Sequence, residues 1–141
     1  MNSEKITVQA RVAAPVATCW SYWTEPAHII HWNFASPDWH CPQATNDLRV
    51  GGKYWTRMEA RDRSFGFDFE ATYDDVINHE RIRYTMPDGR EADTTFVEED
   101  GATQITTVFD AESVHSIEHQ REGWQAILDN FRSYAEKQHP Q

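Results

Sequence analysis

The chain has 141 residues, of which 39% are hydrophobic and 13% aromatic, and it carries a net charge of −10. That length fits one domain, 1–141, able to bury roughly two-thirds of the surface its unfolded chain would expose. The acidic balance repels phosphate backbones and anionic lipid heads, which argues against nucleic acid and membrane surfaces as partners. The opening MNSEKITVQARV has no basic flank followed by an apolar run, and no stretch approaches the ~20 apolar residues of a membrane span. No membrane insertion is expected, and the chain reads as a soluble cytoplasmic protein. In a reducing compartment Cys19 and Cys41 are expected as free thiols, one on a helix face and one in a loop.

Ile6, Val8, Ala10 and Val12 alternate with Thr7, Gln9 and Arg11, the period of a strand with one covered face. Pro15 suits the first turn of a helix, and Val16, Cys19, Trp20 and Trp23 follow on one helical face. Glu25 and Pro26 break that helix and start a second, in which Ile29, Ile30 and Trp32 are the apolar side; Pro37 and Pro42 then predict irregular chain. From 47 to 111 the pattern is a meander. Leu48 and Val50 read as a strand leading into Gly51 and Gly52, a turn or bulge. Tyr54, Thr56, Met58 and Ala60 are predicted to face inward on the next strand.

After the turn at 61–63, Phe65, Phe67, Phe69, Ala71 and Tyr73 alternate with polar residues, predicting a strand that lines the concave face of the sheet. Ile82, Tyr84 and Met86 form the next strand, a turn falls at 87–89, and Ala92, Thr94 and Phe96 return to a second turn at Asp100 and Gly101. Thr103, Ile105, Thr107 and Phe109 complete the last strand. Beyond Ser113, Ile117, Trp124, Ile127, Leu128, Phe131 and Ala135 mark one stripe of a helix of about six turns. A helix of that length lies along a sheet, so the architecture is α+β: a curved antiparallel sheet, two short helices after the first strand, and a long C-terminal helix in its grip. Where such a sheet does not close tightly on its helix, a cavity for a ligand remains.

The segments VAAPV at 12–16 and CWSYWTEPAH at 19–28, followed by Trp32, resemble the opening of the family of activators of heat-shock-protein-90 ATPase. DLRVGG at 47–52, residues 73–84 with Glu80, Arg81 and Ile82, and residues 123–134 beginning with Gly123 and Trp124 resemble it in order and spacing. That family belongs to the START-related, birch-pollen-allergen-like (SRPBCC) superfamily, so the resemblance implies the helix-grip fold. Its wider members include lipid carriers, hormone receptors and aromatase or cyclase enzymes for polyketides, and fold alone does not choose among them. The activator that gives the family its name carries an additional N-terminal domain for chaperone contact, for which a chain starting at the first strand is expected to have no room.

The residues expected to line the pocket are Trp20, Trp32, Trp39, Tyr54, Met58, Phe67, Phe69, Tyr84, Phe96, Gln120, Trp124 and Ile127. Gln120 precedes Trp124 by one helical turn and is expected at the cavity mouth. His28, His31, His40 and Cys41 match no zinc spacing, the chain has no GxSxG elbow, and Gly51 and Gly52 lack the following Lys and Ser/Thr of a phosphate loop. Asp68 and Glu70 fall on the outer side of their strand. No catalytic residue, metal or cofactor is therefore assigned. The leading reading is a non-catalytic carrier of a small apolar or aromatic molecule. The alternative is a cyclase/aromatase-like or hydrolase-like enzyme on a polyketide or aromatic substrate, in which His115 or His119 would move a proton. A third reading is a homodimeric interaction or stress-related module, using Trp55 on the outer face or the last helix.

Overall fold

The computed structural model describes residues 4–138. Its elements in chain order are β1 (Lys5–Val12), α1 (Val16–Thr24), α2 (Pro26–Ile29), β2 (Trp39–Asn46), β3 (Lys53–Ala60), β4 (Gly66–Ile77), β5 (Arg81–Thr85), β6 (Glu91–Glu99), β7 (Ala102–Asp110) and α3 (Ile117–Gln138). The seven strands form one antiparallel sheet in the order β1-β7-β6-β5-β4-β3-β2. The sheet is curved, and α3 lies in its grip. The alternation read from sequence holds along most of β1 and β3 to β7. Tyr54 pairs with Ala71, Thr56 with Phe69 and Met58 with Phe67 on one face, while Arg57 meets Asp68 and Trp55 meets Glu70 on the other.

Two strand assignments change. The segment expected to be irregular around Pro37 and Pro42 holds edge strand β2, with a register shift between His40 and Gln43. An edge strand has one unpaired side, so the missing N–H of Pro42 removes little from the ladder. Cys41 therefore sits on a strand, buried, not in a loop. Leu48 and Val50 do not form a strand; residues 47–52 make a loop in which the Gly52 amide donates to the Arg49 carbonyl at 2.8 Å. Phe65 lies just before β4 and is 64% exposed, because the Phe-x-Phe-x-Phe alternation runs one step past the ladder.

Helix α1 starts at Pro15 without a side-chain cap, and Glu98 of β6 accepts from the Val16 amide at 2.7 Å instead. α3 starts with the Ser116 hydroxyl accepting from the His119 amide at 3.0 Å. The β6–β7 hairpin turns through Asp100 (φ 55°) and Gly101 (φ 78°), two successive positive dihedrals, as a two-residue hairpin loop of the primed type requires. The core gathers between α1, α3 and the β1-β7-β6 side of the sheet. Phe131 is fully buried, with the rings of Trp23 and Trp32 edge-on to it at 4.9 and 5.0 Å, and Trp20 and Trp23 both pack on Phe96.

One buried carboxylate ties the ends of this core. Burial alone would raise the Asp110 carboxyl, but the Lys5 ammonium and the Glu91 amide, at 2.9 Å, hold it net below its ordinary 3.8. A folded value below the unfolded one adds stability above pH ~4 that is lost as the pH falls through that range. Urea unfolding at pH 7 and pH 3 is expected to show a loss that the Asp110→Asn variant shows less of. An equal loss in both would assign acid sensitivity to other groups.

Candidate functional site

On the concave face of β3, β4 and β5 the side chains of Tyr54, Phe69, Tyr73 and Tyr84 form one aromatic floor. Tyr54 stacks on Tyr84 with centroids 6.0 Å apart and planes within 11°, and Phe69 stands edge-on to both, 6.0 Å from Tyr54 and 5.9 Å from Tyr84. Register produces this: Tyr54 lies opposite Ala71, whose small side chain leaves ring space, and Tyr73 lies opposite Tyr84. Burial is the main cause that pushes all three tyrosine hydroxyls well above their ordinary 10, so they stay protonated donors near neutrality. The Tyr73 hydroxyl donates to Asn46 Oδ1 at 2.5 Å, and Asn46 Nδ2 donates to the Thr24 carbonyl at 2.6 Å, tying the floor to the end of α1.

The hydroxyls of Tyr54 and Tyr84 make no hydrogen bond among the described residues. Both rings keep some accessible surface, although their hydroxyls are strongly desolvated. Beside them the Thr56 hydroxyl is buried with no hydrogen-bond partner. A floor of aromatic faces with unpartnered donors is suited to an apolar body carrying one acceptor.

The expected lining divides into five sets. Tyr54, Phe69 and Tyr84 come together as described. Trp39 and Phe67 lie at the rim, 5.9 Å apart, with Phe67 44% exposed; Met58 sits behind them, its sulfur accepting from Asn33 Nδ2 at 3.7 Å. Trp124 stacks on Phe109 at 3.9 Å, and Ile127 is partly buried against the core. Trp20, Trp32 and Phe96 are 6%, 2% and 4% exposed and face other rings, so they are core packing. Gln120 is buried, and its amide is fully engaged: it accepts from the Glu112 amide at 2.8 Å and donates to the carbonyls of Glu112 at 3.1 Å and His115 at 2.9 Å. It closes the loop before α3 and has no polar atom left for a ligand. The floor and the groove beside it also take in Tyr73, Thr56 and Met86, which the expected lining did not include. The alternation that placed Tyr73 beside Tyr54 on one face was the available signal.

The remaining polar groups are held apart from this floor. His28 Nδ1 lies 2.6 Å from the Tyr134 hydroxyl, and His31 stacks on the same ring at 5.7 Å. His40 faces Glu59 at 3.7 Å. His115 pairs with Glu112 at 2.8 Å and stacks on His119, on an exposed loop. Among the described residues no group of three or more His, Cys, Asp or Glu side chains could hold a metal. Burial pushes the Cys19 and Cys41 thiols up to about 11, which leaves them protonated and poorly nucleophilic.

Two grooves open on the surface. One, of about 450 Å³, runs between β4 and the β5–β6 turn, with Phe67, Phe69, Met86, Pro87 and Arg90 in its walls. The other, of about 370 Å³, lies where α2 meets β2 and β3, between Ile30, Pro42 and the half-buried Trp55. No helix is long and apolar enough to cross a membrane among the described residues.

A curved seven-stranded antiparallel sheet, with two short helices after its first strand and a long last helix in its grip, defines a helix-grip protein. The chain belongs to the family described as Activator of Hsp90 ATPase homolog 1-like protein, whose profile covers residues 13–136. It is similar to the AHSA1-like protein of Aeromonas hydrophila, at 41% identity over 96% of this chain and 94% of that one, with a TM-score of 0.90. It is also similar to Chr148 of Cytophaga hutchinsonii, at 46% identity over 95% and 93%, with a TM-score of 0.81. The NE0264 protein of Nitrosomonas europaea, at 19% identity over 95% of each chain and a TM-score of 0.83, shares the fold. No curated protein matches the chain.

Proposed function

We propose that this protein binds and carries a small, largely apolar molecule on the concave side of the sheet, against the floor of Tyr54, Phe69 and Tyr84. One observation carries the reading: two stacked tyrosines that burial strongly desolvates keep accessible surface and unpartnered hydroxyls. Donor hydroxyls with no protein partner, set among aromatic faces and still reachable from solvent, suit an acceptor atom on a ligand that takes the place of water. Trp39 and Phe67 stand at the entrance. Acid–base chemistry near neutrality is best served by a group that titrates there, whereas burial raises the tyrosines of this floor further above 10 and the histidines described above are engaged elsewhere, which favours carriage over turnover.

Native mass spectrometry of freshly purified protein, followed by extraction, tests the proposal. A co-purifying apolar molecule is the expected result. Tyr54→Phe/Tyr84→Phe is expected to hold it about tenfold more weakly, the value of one or two lost hydrogen bonds. A clean apo mass, with no thermal shift across lipids, flavonoids and polyketides, would sink it.

A further inference from the structure

The hydrogen-bond phase of β4 leaves part of the sheet without a neighbour. β3 pairs with β4 from Gly66 to Thr72, but β5 begins its pairing only at Thr72, opposite Thr85. Beyond Thr85 the chain turns away, with the Met86 amide donating to the Arg90 carbonyl at 2.8 Å and Pro87 unable to donate at all. The Ala60 amide donates to the Phe65 carbonyl, and the Tyr73 amide to the Gly52 carbonyl, so residues 65 to 73 with odd numbers turn their backbone groups to β3. Gly66, Asp68 and Glu70 therefore turn theirs the other way, those of Asp68 and Glu70 toward the groove of about 450 Å³. Among the described residues none of their backbone groups bonds to the 86–90 turn.

The geometry points to strand addition at this edge: an extended segment of another polypeptide, alternating apolar and basic residues, pairs with β4 at Gly66, Asp68 and Glu70. The five residues from 66 to 70 span about 17 Å, enough for three ladder residues. On the inner side such a strand would lay apolar side chains beside Phe67 and Phe69, the former 44% exposed. On the outer side it meets Asp68 and Glu70. Their cations, Arg57 at 3.1 Å and Lys53 at 3.5 Å, lie on β3, away from the groove, and Arg90 is held by Asp88 at 2.7 Å. A carboxylate has room for a second cation on its free side, and exposed pairs such as these bind loosely. A second copy of this chain fits less well, because antiparallel self-pairing about Asp68 sets that carboxylate against its own copy. This inference rests on the backbone of β4 and not on the carrier reading, although the two share Phe67 and Phe69.

Amide hydrogen exchange and chemical shifts of the ¹⁵N-labelled protein test it, with a blocked nonapeptide of alternating lysine and valine as probe. In the free protein the Gly66, Asp68 and Glu70 amides are expected to exchange at least tenfold faster than those of Phe67 and Phe69. The peptide is expected to slow and shift the first set. A glutamate–valine peptide should do neither, and Asp68→Asn/Glu70→Gln, on exposed outer positions, should weaken the effect about tenfold. Equal protection of both sets before peptide is added would overturn the inference. So would silence toward the lysine peptide, an equal response to the glutamate peptide, or a dimer in sedimentation that protects these amides unaided.

Discussion

Phe131→Ala is expected to lower stability by about 4 kcal/mol, near the middle of the range for emptying a buried phenylalanine site. The ring is fully buried, and two tryptophans stand edge-on to it at 4.9 and 5.0 Å. Neither can close the space by itself, because Trp32 is pinned by its indole N–H to the Tyr22 carbonyl at 3.0 Å and Trp23 is wedged against Phe96. A domain of this size has only ~5–15 kcal/mol in hand, so the variant should melt roughly 10 °C lower. Urea unfolding gives the number directly. A loss under about 1.5 kcal/mol would mean that the tryptophans relax into the cavity and the cluster is less rigid than its geometry implies.

The second large effect belongs to a residue with no side chain. A Cβ on Gly52 would lie 2.0 Å from the Asp47 carbonyl oxygen and 3.0 Å from that of Arg49, both backbone atoms. The Gly52 carbonyl also accepts from the Tyr73 amide at 3.0 Å, so the loop cannot back away without releasing β4. Gly52→Ala is expected to cost about 3 kcal/mol, as severe overpacking does. Gly51 has the positive φ, 84°, but nothing near its missing side chain, and Gly51→Ala should cost about 1 kcal/mol in strain. Denaturation of the two variants side by side decides it; a larger loss at Gly51 would refute the steric account.

The same glycine pair shows how far the sequence could be read. A turn at Gly51 and Gly52 was legible, and Gly51 meets the expectation of a left-handed dihedral. That Gly52 is there for a close approach was not, since the colliding carbonyl belongs to a loop whose path depends on β4. Alternation placed the inward residues of β1 and β3 to β7, because a strand with one wet face has to repeat every two residues. It did not find β2, where Pro42 and the preceding Pro37 imitate a loop and the tolerance for Pro42 comes from being at the edge. The aromatic residues were identifiable as interior but not by depth. Trp20, Trp32 and Phe96 join the packed cluster while Tyr54, Phe69 and Tyr84 make the floor, and that division is set by where α1 and α3 rest. Gln120 was placed one turn before Trp124 on the correct helix, but its bonds to residues 112 and 115 arise from a loop that has no local signature.

Helix α3 bears mainly on β1 and the residue after it, through contacts such as Gln125 with Gln9 and Glu136 with Ala13, while the aromatic floor lies several strands away on β3, β4 and β5. The residues that keep the protein folded and those that would choose its ligand thus occupy different neighbourhoods. Mutations at the exposed Phe67 can be sampled by a lineage without passing through unfolded intermediates, so related chains are free to diverge in what they bind while their scaffold stays the same.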